Sequence, residues 1–168
     1  RLFPDYDGYL VWSEHMRDQL HRYFPASRKR PAEVVGACQY DVLFDPQYRS
    51  TREAFCERHG LDPSRPILLY ALGSPRFLNE SPGAVALARL LDTDNPEAAQ
   101  LLVRPHPQFD DGALADAFIG LEHVARVQRV GDAADPFNRR AQDSALIADW
   151  VDSIRHADVL INTSSSMT

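Results

Sequence analysis

Apolar residues in this chain fall into short continuous runs separated by stretches of helical spacing. Tyr9-Leu10-Val11-Trp12 reads as a short strand. Ser13 follows as an N-cap, because a side-chain oxygen there accepts from a backbone N–H that has no partner within the helix. Met16, Leu20, Tyr23 and Phe24 recur at helical spacing and Pro25 ends the pattern. Residues 26–31 read as a charged loop, Val34-Val35-Gly36 as a second short strand, and 39–46 as loop. A helix is predicted over 51–59, stopped by Gly60, which suits the left-handed position after a helix. The longest apolar run, Ile67 to Leu72, shows no alternation and predicts a strand covered on both faces. Ala84, Leu87, Ala88 and Leu91 mark the next helix, and Leu101-Leu102-Val103 another buried strand. Residues 113–119 read as a short helix and 124–127 as an edge strand. Ile147, Trp150, Val151 and Ile154 line a helix starting near Ser144, and Val159-Leu160-Ile161 reads as a final buried strand.

Strands alternating with helices predict an α/β fold with a Rossmann-like, mainly parallel sheet and helices on both faces. The organisation expected is an interdomain crossover strand and helix over 1–30 and a nucleotide-binding domain over 31–168, incomplete at its end. In such sheets ligands lie beyond the carboxyl ends of the strands. Three of those ends carry residues with chemistry.

Gly73 and Ser74 follow the strongest strand: glycine lets backbone approach a ligand, and serine can donate to a phosphate oxygen. A plain turn fits the same two residues. Arg104 and His106 follow the next strand between stiffening prolines, Pro105 and Pro107. Arginine offers a planar fork to phosphate and histidine can donate or accept. The alternative is a structural histidine beside an arginine in an ion pair. Thr163, Ser164, Ser165 and Ser166 follow the last strand. Hydroxyls between a strand and a helix N-terminus build an anion site, since free N–H groups and the positive end of the helix dipole face it. A flexible polar turn has the same composition.

The formal charge of −6 argues against nucleic acid as a partner, and Arg28-Lys29-Arg30 reads as a solvated loop. No apolar run approaches the ~20 residues that span a bilayer. Cys38 and Cys56 lack metal spacing and read as packed thiols of a reducing, cytoplasmic interior. The histidines are scattered and Asp110-Asp111 reads as solvated loop, so no metal is expected. Trp12 and Trp150 read as core. The two well-defined phosphate loops and the GxSxG elbow are absent.

Several segments together resemble a known superfamily. Asp7 to Glu14 with the following helix, Val34-Val35-Gly36 and Gln39-Tyr40-Asp41 look like the crossover into the second domain of a GT-B glycosyltransferase. Arg65 to Ser74 resembles the first strand and loop of that domain. Arg104-Pro105-His106-Pro107 resembles the Arg/Lys-x-His-Pro segment of bacterial capsule and wall polymer transferases, including CDP-glycerol glycerophosphotransferases. Ala157 to Ser166 resembles their last donor-phosphate turn.

The resemblance implies the donor-binding part of a longer enzyme that makes surface polysaccharide. Its acceptor domain and catalytic base would lie elsewhere, and the full-length protein would associate peripherally with the membrane. The substrate would be a nucleotide-activated sugar or polyol, with no metal and no other cofactor. Gly73 and Ser74 would line the phosphate cleft, Arg104 and His106 would contact the donor, with His106 a candidate for catalysis, and Thr163 to Ser166 would grip the diphosphate. A UDP-sugar 2-epimerase of the same architecture, and a nucleotide-binding or structural module without chemistry, are the alternatives.

Overall fold

The computed structural model describes residues 6–75, 77–106, 111–128, 130 and 144–163, without the side chains of 111 and 112. Two compact units meet between Asp45 and Pro46.

The first unit is a strand–helix–strand crossover. Strand β1 (Tyr9–Val11) leads into helix α1 (Glu14–Tyr23), and strand β2 (Ala32–Val34) returns parallel to β1. Ser13 caps α1 as expected, its side chain accepting from the Met16 N–H at 3.2 Å. The stretch expected to be a charged loop holds a 3-10 turn over Pro25–Lys29, anchored by buried Ser27. Another 3-10 helix, Cys38–Leu43, occupies much of the second expected loop. Strand β2 pairs with β1 and lies with it in the first compact unit.

Two expectations fail in this unit. Trp12 is 52% exposed and Cys38 is exposed, so neither is a core residue. A two-stranded layer with one short helix has too little area to enclose them, and α1 itself buries no residue.

The second unit has helix α2 (Arg52–His59), strand β3 (Ile67–Ala71), helix α3 (Ser81–Asp94), strand β4 (Gln100–Arg104), helix α4 (Asp111–Asp116), strand β5 (Ala125–Val127), helix α5 (Ser144–His156) and strand β6 (Val159–Asn162). The four strands form one parallel sheet in the order β5-β4-β3-β6. This is an α/β, Rossmann-like fold: successive strands are added to one side of β3, then β6 joins its other side, as in half of a doubly wound sheet.

Alternation along the central strands divides the core in two. Leu101 and Val103 pack with Ala84, Ala88, Leu114 and Phe118 of the α3/α4 side. Ile67, Leu69 and Leu102 pack with Phe55 and Cys56 of α2. Apolar residues at almost every position are therefore required, which is why the centres of β3 and β4 show no polar alternation. Gly83 lets α3 approach closely: a Cβ there would lie 3.3 Å from the Tyr70 hydroxyl. Gly60 ends α2 at φ 64°, a left-handed conformation that favours glycine.

The amino ends of the strands are tied by polar side chains. Arg52 donates to the carbonyls of Pro63, Arg65 and His156 and pairs with Asp158 at 3.0 Å. Asp158 also accepts from the Ile67 N–H at 2.8 Å. Gln100 bonds both the N–H and the carbonyl of Asp62. These bonds tie the amino ends of β3, β4 and β6 together; a small cavity of about 200 Å³ remains there, beside Asp62, Arg65, Gln100 and Arg126.

Strand β6 is not the buried strand expected. Val159 is 49% and Leu160 37% exposed, because β6 lies at the edge of the described sheet and pairs on one side with β3. Val151 of α5 is buried as expected, but its deepest neighbours are Asp152 and Ser153, while Ile147, Trp150 and Ile154 are only half-buried. Polar partners just before and within α2 account for this: Asp152 accepts from the Ser50 N–H at 3.0 Å and from Arg58 at 2.8 Å.

Candidate functional site

The register puts three loops on one edge. Ala71 of β3 is level with Arg104 of β4 and with Asn162 of β6, so the chain leaves all three strands at the same end of the sheet. Gly73, Arg104, His106 and Thr163 thus belong to that end. Ser164, Ser165 and Ser166 lie outside the described residues.

A cavity of about 420 Å³ opens beyond β3 and β4, on the α3/α4 side. Its apolar walls include Leu72, Pro75, Leu78, Pro105, Leu114 and Ala117. Its polar lining is Gly73, Asn79, Glu80, Ser81 and His106. Gly73 is buried and Ser74 half-buried, and the Ser74 carbonyl closes a turn by accepting from the Phe77 N–H at 2.9 Å. This turn leaves the Phe77 ring 89% exposed beside the lining residue Leu78.

Gly73 and His106, expected to act together, line the same cavity. Arg104 does not. Its side chain belongs to the face of Leu102, by the alternation of a strand, and there its guanidinium lies 3.8 Å from Asp149 of α5. It is 7% exposed. Arg104 therefore anchors the start of its loop from the opposite face while His106, two residues on, faces the cavity. Thr163 is exposed at the end of the neighbouring edge strand.

Sequence reasoning missed Glu80. It is 7% exposed, stands at the start of α3, and its Oε2 accepts from the Gly73 N–H at 2.6 Å. Gly73, expected to line a phosphate cleft, thus gives its backbone N–H to a carboxylate. A unit negative charge ~4 Å from another at an effective dielectric of ~20 is repelled by about 4 kcal/mol, more than a neutral hydrogen bond contributes. A phosphate at Gly73 would have to displace Glu80. The sequence signal was Glu80-Ser81-Pro82, an acidic residue just before a proline that starts a helix.

The opposite face holds a second polar cluster. His59 Nε2 lies 2.6 Å from Asp149 Oδ1, and the buried Gln128 side chain donates to the other Asp149 oxygen and to Ser153. Burial pushes the Asp149 carboxyl up, but the hydrogen bond and charge of His59, the charge of Arg104 and the Gln128 hydrogen bond outweigh it and hold the carboxyl below its usual range. Arg58, His59, Val127, Ala145, Leu146 and Asp149 border a shallower depression of about 560 Å³. One acid, an amide and a histidine on distant segments gave no sequence signature.

Among the described residues, no group of three or more His, Cys, Asp or Glu side chains is arranged to hold a metal ion. No described helix is long and apolar enough to cross a membrane. Comparison with protein families, curated proteins and solved structures gave no match.

Proposed function

We propose that this chain carries the donor-binding domain of a GT-B-type group transferase that uses a nucleotide-activated sugar or polyol to build surface polysaccharide. The observation that carries this reading is the carboxyl edge of the sheet. There the loops after β3, β4 and β6 leave side by side, and the first two enclose a cavity lined by Gly73 and His106. An acceptor hydroxyl held by another domain would attack the activated carbon or phosphorus, and the nucleotide would leave. His106 lies where it can donate to or accept from the donor. Arg104 supports that loop through Asp149 instead of touching the donor.

Glu80 favours a second reading. A UDP-sugar 2-epimerase-like enzyme needs carboxylates in its cleft for proton transfer, and Glu80 lines this one.

The test is calorimetric titration of the chain with UDP, CDP and GDP and their sugar or polyol conjugates. At least one is expected to bind, and His106→Ala is expected to weaken it tenfold or more, roughly the effect of one hydrogen bond to a polar ligand. No binding by any of them overturns the donor-site reading. Product analysis with the binding donor then separates transfer from epimerisation.

A further inference from the structure

We propose that the amino end of the sheet carries a second binding site, for a small oxyanion such as phosphate or a short carboxylate, held by the Arg126 guanidinium with Arg65 supplying further charge. The site lies at the other end of the strands from Gly73 and His106 and is independent of the donor-site reading.

Arg65 and Arg126 line the cavity of about 200 Å³ beside Asp62 and Gln100. They stand apart from other cations of this unit. Arg52, Arg58, Arg104 and Arg155 lie 2.8 to 3.8 Å from an aspartate. Arg65 and Arg126 are half-buried, and among the described residues neither forms an ion pair; Asp62 and Glu122 act on them at longer range. Arg126 gives one hydrogen bond, from Nη1 to the Ala125 carbonyl at 3.2 Å. Arg65 gives one terminal nitrogen to the carbonyls of Pro96 and Ala99, and its Nε is buried without a partner. Both positive charges are therefore under-compensated.

The carboxylates of the cavity are engaged by their own turns. Asp62 accepts from the Ser64 N–H and hydroxyl at 2.8 and 2.6 Å, and Glu122 from the Gly120 N–H at 2.8 Å. Both are exposed, so water and salt screen their repulsion of an anion. Gln100, 4% exposed, fixes the floor by bonding the Asp62 backbone and the Arg65 carbonyl. Gly60 leaves room for the guanidinium, since a Cβ there would lie 3.1 Å from Arg126 Nε. A guanidinium presents its N–H donors as a planar fork that two oxygens of one anion match. The volume falls below the ~300 Å³ at which pockets for drug-sized ligands begin, so the occupant is an ion or a small acid and not a nucleotide. Two arginines against two carboxylates leave no strong net field, so the fork at contact sets a modest affinity.

The test follows the side-chain Nε–H resonance of Arg126 by NMR in the full chain, titrated with inorganic phosphate and with acetate, ionic strength being held with sodium chloride. Saturable shifts with phosphate are expected, and Arg126→Gln is expected to weaken the phosphate-dependent rise in melting temperature tenfold or more in concentration. Phosphate also stabilises proteins by exclusion from their surface, so only the part of the rise lost in Arg126→Gln counts. Saturation by phosphate alone assigns a tetrahedral anion, and saturation by both assigns any small oxyanion. Phosphate taken at the carboxyl end of the sheet reports instead on Gly73 and His106 and is unaffected by Arg126→Gln. If that variant does not fold, Arg126→Lys keeps the charge without the fork and is expected to bind phosphate more weakly than the native chain.

Shifts at Arg126 that stay linear with concentration, or that chloride reproduces, overturn the proposal. So does a melting-temperature rise that is the same in Arg126→Gln as in the native chain. Each of these results leaves the donor site standing, and failure of nucleotide donors to bind leaves this site standing in turn.

Discussion

Asp149 shows how much one carboxylate ties together. Through its side chain it joins α5 to His59 at the end of α2, to Gln128 just after β5, and to Arg104 at the end of β4. Its pKa is held below the ordinary aspartate value, chiefly by His59 acting against burial. A carboxyl with a lowered folded pKa binds its proton less readily folded than unfolded. Its contribution to stability is therefore present above the unfolded value, about 3.9, and is lost as pH falls through the folded value. Urea denaturation at about pH 7, 4 and 3 is expected to show stability falling steeply between the last two, and less steeply in Asp149→Asn. A residual slope is expected in the variant, since Asp158, held low mainly by its bond from the Ile67 N–H, titrates in the same direction. An unchanged slope would remove Asp149 from the account. At this scale the sequence was readable only where the chemistry is local. Ser13 and Gly60 act on neighbouring backbone, so their roles followed from position. Glu80 reaches back seven residues and His59 meets a carboxylate ninety residues away, and no spacing rule encodes such pairs.

Strands and helices were legible in proportion to how continuous their burial is. Residues 67–71 and 100–104 are covered on both faces, so almost every side chain had to be apolar and the run was unmistakable. Strand β6 carried the same kind of apolar run, yet it lies at the edge, and a run of three cannot tell edge from centre. The tilt of α5 was hidden for another reason: its buried stripe includes Asp152 and Ser153, which a hydrophobic pattern counts as surface. The difference between centre and edge has a measurable consequence. Leu102 is 0% exposed on β4 between two neighbouring strands, and truncation there leaves a cavity that α2 cannot fill. Leu102→Ala is expected to lower unfolding free energy by about 2–5 kcal/mol. Leu160→Ala, at a position already 37% exposed, is expected to cost less than about 1 kcal/mol. Guanidinium denaturation of both variants checks the contrast, and equal losses would mean that β6 is covered as completely as β4.

Across the whole molecule, burial is divided unevenly between the two units. Within the first, Val11 and Ser27 are the buried residues among those described, and its helix buries none. Within the second, two apolar clusters sandwich the parallel sheet, and Arg52, Gln100 and Asp158 bolt its amino edge. The fold class was readable because each strand and helix announced itself in order; the unequal solidity of the two units was not, because apolar residues such as Leu10 and Trp12 look the same in sequence whether covered or not. Hydrogen bonds open at a free-energy cost set by the apolar contacts that must separate with them. The amides of β3 and β4 can exchange only when both core clusters come apart, whereas those of β1 and β2 need only a two-stranded ladder to fray. Hydrogen exchange followed by mass spectrometry or NMR is thus expected to show β3 and β4 amides protected at least roughly a hundredfold beyond those of β1 and β2. The loop from Gly73 to Glu80 should exchange at intermediate rates, except for the Gly73 amide itself, which Glu80 holds. Protection as strong in β1 as in β3 would mean that the crossover unit is stabilised by more than its own buried residues.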